Sequence, residues 1–176
     1  MVCEDTDHGI NQKASVVKLN TGGTAWEVVG TAGLSTGQAD FTSLAFNGII
    51  PYVVYRDGGN SNKATVMKLN SGGTAWEVVG TAGFSAGQAE YTSLAFNGII
   101  PYVVYRDGGN SNKALVMKLN TGRTAWELVG TAGFSATQAN FNSIVNTGGE
   151  MVVAYSSDGA FAKFFFKCFT CKTNLI

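Results

Sequence analysis

Three tryptophans, Trp26, Trp76 and Trp126, lie 50 residues apart, and nearly the whole sequence around them repeats with this period. Residues 41–90 and 91–140 differ at only seven positions. A fixed period of this length indicates a repeat architecture, in which each unit buries its apolar face against its neighbours. Because every unit presents the same surface, such an array suits binding or assembly better than one asymmetric active site.

Each period reads as four short strands, because no stretch has apolar residues at helical spacing. An Asn-Gly turn joins the first two strands, a polar loop leads to the third, and a Gly-rich turn leads to the tryptophan strand. The predicted strands are 42–46, 51–55, 64–69 and 75–79. Four antiparallel strands in about 40 to 50 residues predict an all-β fold, the β-propeller, with four-stranded blades. The strand with small side chains would be innermost and the tryptophan strand outermost.

Pairing across the turn at 71–74 sets Leu69 opposite Trp76 and Lys68 opposite Glu77. A slip of one residue would place Lys68 beside Trp76, so these pairs fix the register. Antiparallel hairpins of this kind favour the propeller over a β-solenoid, the main alternative, whose strands are parallel.

We interpret the chain as a single repeat domain over residues 1–176, whose ends are out of phase with the repeat. It comprises a partial leading blade, two full repeats and a partial trailing blade with a divergent end, at 1–40, 41–90, 91–140 and 141–176.

The two partial blades complement each other. The leading one has third and fourth strands at 14–20 and 25–30, after a start at Cys3-Glu4-Asp5 that breaks the apolar pattern. The trailing one has first and second strands at 141–146 and 151–155, and the Phe-rich stretch 164–169 is a candidate third strand. One chain then supplies about three blades, below the usual four to eight. We therefore expect a homo-oligomer, a dimer in which each chain completes the other's ring. A filament or a piece of a longer array is the alternative.

Charge and hydropathy argue against two classes of partner. Twelve basic residues balance twelve acidic ones, which disfavours nucleic acid, and no segment has the apolar length of a membrane helix. The polar, acidic start does not read as a signal peptide, so we expect an intracellular chain or one that lacks its export signal.

The cysteines and the single histidine do not form a recognisable site. Cys168 and Cys171 form a lone C-x-x-C, and a zinc site would need Cys3 and His8 as well. We expect no metal, no cofactor and no catalytic residue, because His8 has no identifiable partners for a nucleophilic triad. A disulfide among the three cysteines and free thiols both remain open.

The repeated polar loops are the best candidate for ligand binding. The loop 56–63 joins second and third strands, and the segment 83–90 leads to the next first strand, so both lie on one face of a blade. We predict ligand contacts from the polar side chains of these loops: Asp57, Asn60, Asn62, Asp107, Asn110, Asn112, Gln88 and Gln138. The alternative is that Asp57 and Asn60 only build the turn. The tryptophans are read as packing residues between blades, with sugar stacking as the alternative.

The runs Pro-Tyr-Val-Val-Tyr-Arg-Asp, Lys-Ala-Thr-Val-Met-Lys-Leu, Trp-Glu-Val-Val-Gly and Gly-Phe-Ser-Ala-Gly resemble the tandem propeller-type repeats of secreted or surface microbial proteins. The resemblance implies an adhesion or recognition module outside the cell. The sequence therefore predicts a non-enzymatic, lectin-like module that binds glycan or protein. The alternative is a structural protein that self-assembles and has no small ligand.

Overall fold

The computed structural model describes residues 2–4, 12–157 and 160–166. These residues form fourteen β-strands and two short 3-10 turns, Gly58–Asn60 and Gly108–Asn110. The strands are β1 (Val2–Glu4), β2 (Ala14–Leu19), β3 (Trp26–Val28), β4 (Ala39–Asn47), β5 (Ile50–Asp57), β6 (Lys63–Leu69), β7 (Trp76–Val78), β8 (Ala89–Asn97), β9 (Ile100–Asp107), β10 (Lys113–Leu119), β11 (Trp126–Leu128), β12 (Ala139–Asn146), β13 (Met151–Ser157) and β14 (Ala160–Phe166). No helix among the described residues has the length and apolarity needed to cross a membrane.

The strands form four antiparallel sheets in chain order, which we number as blades. Blade 1 is β1-β2-β3, blade 2 is β4-β5-β6-β7, blade 3 is β8-β9-β10-β11, and blade 4 is β12-β13-β14. The first strands β4, β8 and β12 lie side by side, and the tryptophan strands β3, β7 and β11 lie at the far edges of blades 1, 2 and 3. This arrangement is that of propeller blades, so the predicted fold class is confirmed.

The predicted hairpin register is also confirmed. Leu69 pairs with Trp76 and Lys68 pairs with Glu77. The Lys68 ammonium lies 3.7 Å from the Glu77 carboxylate, in a pair that is largely open to solvent. Such exposed ion pairs stabilise a fold by less than about 1 kcal/mol, so their main effect here is on register.

Two terminal strands differ from the prediction. The stretch containing Cys3-Glu4 nevertheless forms β1, which occupies the second-strand place of blade 1 and pairs Val2 with Val16. β14 begins at Ala160, before the predicted 164–169, and Ala160 pairs with Ser157 of β13. Both strands cover an otherwise open sheet edge, which an apolar pattern alone does not predict.

The core lies between neighbouring blades. Val54 and Val66 of blade 2 are fully buried against Val103 and Tyr105 of blade 3. Equivalent clusters join blade 1 to blade 2 and blade 3 to blade 4. Full burial of a side chain of this size stabilises the fold by about 1.5 to 3 kcal/mol. Each blade is therefore stabilised chiefly by its neighbours.

Candidate binding face

Two sets of connections meet on one side of the blades, which we call the loop face. The 3-10 turn after β5 contacts the segment that leads into β4, where Gly58 N donates to Gln38 O at 2.8 Å. Gly108 N makes the same bond to Gln88 O in the next repeat. A side chain on Gly37 would place its Cβ 2.7 Å from Gly59 N, so the two loops touch through glycine backbone.

Asp57 and Asp107 lie inside this face, with 1% and 0% of their surface exposed. The Asp57 carboxylate accepts hydrogen bonds from Gly59 N at 3.0 Å, Asn60 Nδ2 at 2.8 Å and Thr65 Oγ1 at 2.8 Å. These bonds are those of a turn-building residue. Ligand binding by either carboxylate stays a prediction and would require the loop to open.

The other six predicted residues are on the same side, at Asn60, Asn62, Asn110, Asn112, Gln88 and Gln138. Asn62 adopts a left-handed conformation with φ of 60°, and its carbonyl accepts from Ala89 N at 3.0 Å. The Gln88 side chain is exposed, whereas Gln138 Nε2 donates to Asn140 Oδ1 at 3.4 Å. Within this set, Asn62 and Gln138 form hydrogen bonds that hold the loops together, whereas the Gln88 side chain is part of the exposed polar surface.

A ladder of charges runs across three blades at the inner edge of the loop face. The Arg56 guanidinium lies between Asp40, which accepts from Arg56 Nε at 3.1 Å, and Glu90, whose carboxylate lies 3.2 Å from Arg56 Nη1. Glu90 also accepts from Arg106, which in turn donates to Asn140. Each arginine therefore links its own blade to the next.

Three aromatic rings run beside the charges. The Phe41 and Tyr91 centroids are 4.8 Å apart, and those of Tyr91 and Phe141 are 5.0 Å apart. Arg56 lies 4.9 Å from the centroid of Phe41, and Arg106 lies 4.8 Å from that of Tyr91. We call the ladder and the rings together the inner rim: Asp40, Phe41, Arg56, Glu90, Tyr91, Arg106, Asn140 and Phe141.

The backbone of the inner rim is unusual. Phe41, Tyr91 and Phe141 have φ of 50°, 50° and 51°, and each lies where the register of the first two strands shifts. A positive φ is uncommon for a bulky residue, and backbone strain of this kind clusters at functional sites. The β-bulge carries the three rings on the loop face in the same orientation.

The rim is most open at blade 4. Ser156 stands at the position that Arg56 and Arg106 occupy in the other blades, so no guanidinium from that position covers Phe141. The Phe141 side chain is 74% exposed. Nearby, Asn142 replaces the threonine of the other repeats, and its amide is buried without a hydrogen-bond partner.

Sequence reasoning missed the inner rim as a unit. It placed Glu90 on this face but did not connect it with Arg56 or the aromatic residues. The available signal was the recurrence of an acid or amide, then an aromatic residue, at 40–41, 90–91 and 140–141.

Two buried phenols lie under the face. The Tyr55 hydroxyl donates to Met67 Sδ at 3.4 Å, and Tyr105 makes the same contact with Met117 at 3.3 Å. Burial raises the pKa of Tyr55 far above its usual range, and the Asp57 charge raises it further. Burial and the Asp107 charge have the same effects on the pKa of Tyr105.

The tryptophans lie away from the inner rim, at the outer part of the blade interfaces. Trp76 Nε1 donates to Val29 O at 3.1 Å, and Trp126 Nε1 donates to Val79 O at 3.0 Å. Each bond joins one blade to the blade before it. Trp26, in blade 1, is 56% exposed.

The part of the chain that the structure describes contains no group of three or more His, Cys, Asp or Glu residues that could hold a metal ion. His8, Cys168 and Cys171 lie outside the described residues, so the pairing of the cysteines stays open.

No protein-family model matches the sequence, and neither does any curated protein. Among solved structures, the chain is similar to a bifunctional GH43-CE protein of Bacteroides eggerthii, with 14% sequence identity and a TM-score of 0.51. The match covers 73% of this chain and 19% of that one. At this identity the likeness supports the propeller-type fold and gives no information about activity.

Proposed function

We propose that this chain is a non-enzymatic recognition module that binds glycans on its loop face, at the inner rim. The observation that carries the proposal is the row of three aromatic rings held beside a ladder of charged and amide side chains. A sugar ring has an apolar face of C–H groups and a border of hydroxyls. Phe41, Tyr91 and Phe141 can pack against the first, and the rim carboxylates, guanidinium groups and amide can hydrogen-bond the second.

Repetition of the rim adds to this argument. An aromatic ring and an adjacent acidic or amide side chain recur in blades 2, 3 and 4, so one chain can contact successive units of a polymer or several branches of a glycan. Weak contacts at several linked sites give a much higher overall affinity than any one of them.

The charges of the rim favour binding over hydrolysis. Glycoside hydrolysis uses one carboxyl group as the proton donor and a second as nucleophile or base. The carboxylates of Asp40 and Glu90 both form ion pairs with the guanidinium groups of the ladder. A recognition role requires no free acid.

A glycan array probed with the full chain tests the proposal, with Phe141→Ala as the key variant. We expect binding of the recognised glycan to weaken about tenfold or more, because the substitution removes the most exposed ring of the rim. Ile99→Ala is the matched control, since Ile99 is also exposed but lies in the turn that follows β8, at the end opposite to the rim. Equal losses in the two variants would contradict a site at the rim.

The non-enzymatic part has a separate test. The glycan that binds is incubated with the protein, and its products are analysed by mass spectrometry. We expect no cleavage. Cleavage by the wild type that Glu90→Gln abolishes would show that the rim is an active site.

Self-association is a second candidate function, favoured by the exposed apolar edge of blade 1. Absence of any glycan binding, with assembly intact, would favour that structural role.

A further inference from the structure

The first and last blades carry opposite halves of the same blade-to-blade contact. Inside the chain, the tryptophan of one blade donates a hydrogen bond to a valine carbonyl of the preceding blade. Trp76 donates to Val29 O in this way, and Trp126 donates to Val79 O. By the same spacing, Trp26 would need a blade before blade 1, and Val129 O would need a fourth strand in blade 4. The described residues supply neither.

The inner strands show the same half-contacts. Leu94 N donates to Ser43 Oγ at 3.2 Å, and Ile144 N donates to Ser93 Oγ at 3.2 Å. Both bonds join the first strand of one blade to that of the next. By the same spacing, the backbone N of Leu44 is the corresponding donor in blade 2, and Ser143 Oγ is the corresponding acceptor in blade 4.

Apolar side chains of blade 1 are exposed at positions where a preceding blade buries the equivalent side chains of later blades. Leu119 is 4% exposed where blade 2 packs on blade 3, whereas the equivalent Leu19 is 49% exposed. Phe46 and Ile49 extend this surface, which we call the leading edge together with Leu19 and Trp26. Large contiguous apolar surfaces of this kind mark interaction sites on soluble proteins.

A cavity lies beside the leading edge. Between blades 2 and 3, Phe96 packs edge-on against Tyr52 at 4.9 Å, and the gap at that place is about 90 Å³. Between blades 1 and 2, the equivalent gap has a volume of about 360 Å³, and Phe46 and Trp26 are among the residues that line it. Blade 1 has no first strand among the described residues, so this space lies open at its inner side.

We propose that a second copy of this chain docks end to end on the leading edge and completes blade 1. Strands β12 and β13 of that copy would take the first and second places beside β2 and β3, giving a four-stranded blade. Trp26 would then donate to the Val129 carbonyl of the second copy, and Leu44 N would donate to its Ser143 Oγ. The ring of Phe41 would stack beside Phe141 of the second copy, so the inner rim would continue from chain to chain.

The repeat fixes the register of the joint. Tyr55 pairs with Thr65 and Tyr105 pairs with Leu115, so Tyr155 of the second copy would pair with Ser15. Docking replaces β1 and β14, which occupy these places in the single chain. β1 makes three pairs with β2, and the β13–β14 ladder is interrupted by a register shift, whereas the equivalent β5–β6 ladder has six unbroken pairs. In the joint, β2 would exchange a ladder of three pairs for one of six, and β13 would exchange an interrupted ladder of five pairs for an unbroken one.

Sedimentation of the full chain over a range of concentrations is the first test. We expect reversible self-association that Trp26→Asp weakens at least tenfold in dissociation constant, because a charge would enter an apolar contact. Val78→Asp is the matched control, since Val78 is 46% exposed within blade 2, away from both ends. Circular dichroism checks that each variant is folded. A wild type that stays monomeric at tens of micromolar, or equal weakening by both variants, would overturn the proposal.

Disulfide trapping tests which ends meet and has no dependence on glycan binding. In a background with Cys3, Cys168 and Cys171 changed to Ser, one chain carries Phe41→Cys and another carries Phe141→Cys. We expect a cross-linked pair when the two are mixed and oxidised, and none when Tyr91→Cys replaces Phe41→Cys. Cross-linking within one chain that carries both cysteines would show that each chain closes on itself, which would overturn the proposal.

Discussion

At the scale of single residues, the side chain of Asp57 was predicted to contact a ligand, but its hydrogen bonds are made within the protein and hold its own loop. Its carboxylate satisfies a backbone amide, an asparagine amide and a threonine hydroxyl. In the next repeat Leu115 replaces that threonine, and Gly87 N donates to Asp107 at 3.2 Å. The same turn is thus held by different donors in neighbouring blades.

The phenols beside these carboxylates give a pH dependence. The raised pKa values of Tyr55 and Tyr105 keep both hydroxyls protonated in the folded state, while the unfolded chain loses these protons near pH 10. Stability is therefore complete below about pH 10 and falls above it, by about 1.4 kcal/mol per pH unit for each tyrosine. Urea unfolding between about pH 9 and pH 11.5 measures the slope.

The control for this titration is Tyr55→Phe combined with Tyr105→Phe, which keeps the rings and removes the ionisable groups. We expect a shallower fall in the free energy of unfolding with pH. The same slope in wild type and variant would assign the alkaline loss to other groups.

At the scale of elements, the hairpin turns were predictable and the bulges were not. Asn47 pairs with Ile50 across its Asn-Gly turn, as that dipeptide indicates. Unbroken continuation of this register would set Asp40 opposite Asp57. The bulge at Phe41 shifts the pairing by one residue, so that Asp40 lies opposite Arg56. Like charges directly opposite each other are destabilising, which gives a physical reason for the shift. A pattern of apolar and polar residues contains no information about the sign of the charges, so it could not predict the bulge.

Alanine substitutions at two glycines in neighbouring turns can distinguish the stability cost of backbone strain from that of steric crowding. Gly73 and Gly80 both have φ of 69°, but a Cβ on Gly73 would meet nothing within 4 Å, whereas one on Gly80 would lie 2.9 Å from Leu119 Cδ1 and Trp126 Nε1. We expect Gly73→Ala to cost about 1 to 2 kcal/mol. Gly80→Ala should cost about 1 to 3 kcal/mol more, because it overpacks the blade interface.

Urea denaturation of both variants measures this difference. Arg123, at the position equivalent to Gly73, has φ of 58°, so a side chain is compatible with that turn. Equal costs for the two alanines would show that the blades move apart easily.

At the scale of the whole molecule, the period predicted the blades, and the phase of the period predicted unequal ends. The inner rim was not predictable in the same way, because its parts come from three blades and meet only after the bulges have set their register. Arg56 contacts Asp40 on its own sheet and Glu90 on the next, which no local pattern reports.

Self-association also makes stability depend on concentration. If folding of the leading edge is coupled to docking, the wild-type Tm should rise by several degrees over a hundredfold increase in protein concentration. Differential scanning calorimetry of wild type and Trp26→Asp checks this, and the variant should show a Tm that is independent of concentration. A wild-type Tm that does not change would indicate that the edge contributes nothing in solution.

The near-identity of blades 2 and 3 has a consequence for how the chain finds its native pairing. β5 would make almost the same ladder with β10 as with β6, since residues 41–90 and 91–140 differ at only seven positions. Chemistry barely separates the two partners, but closing a loop of about 55 residues costs about 2 kcal/mol more than closing one of about five. The correct partner is therefore selected mainly by nearness along the chain, and the short loops of the loop face also keep the blades from exchanging strands while they fold.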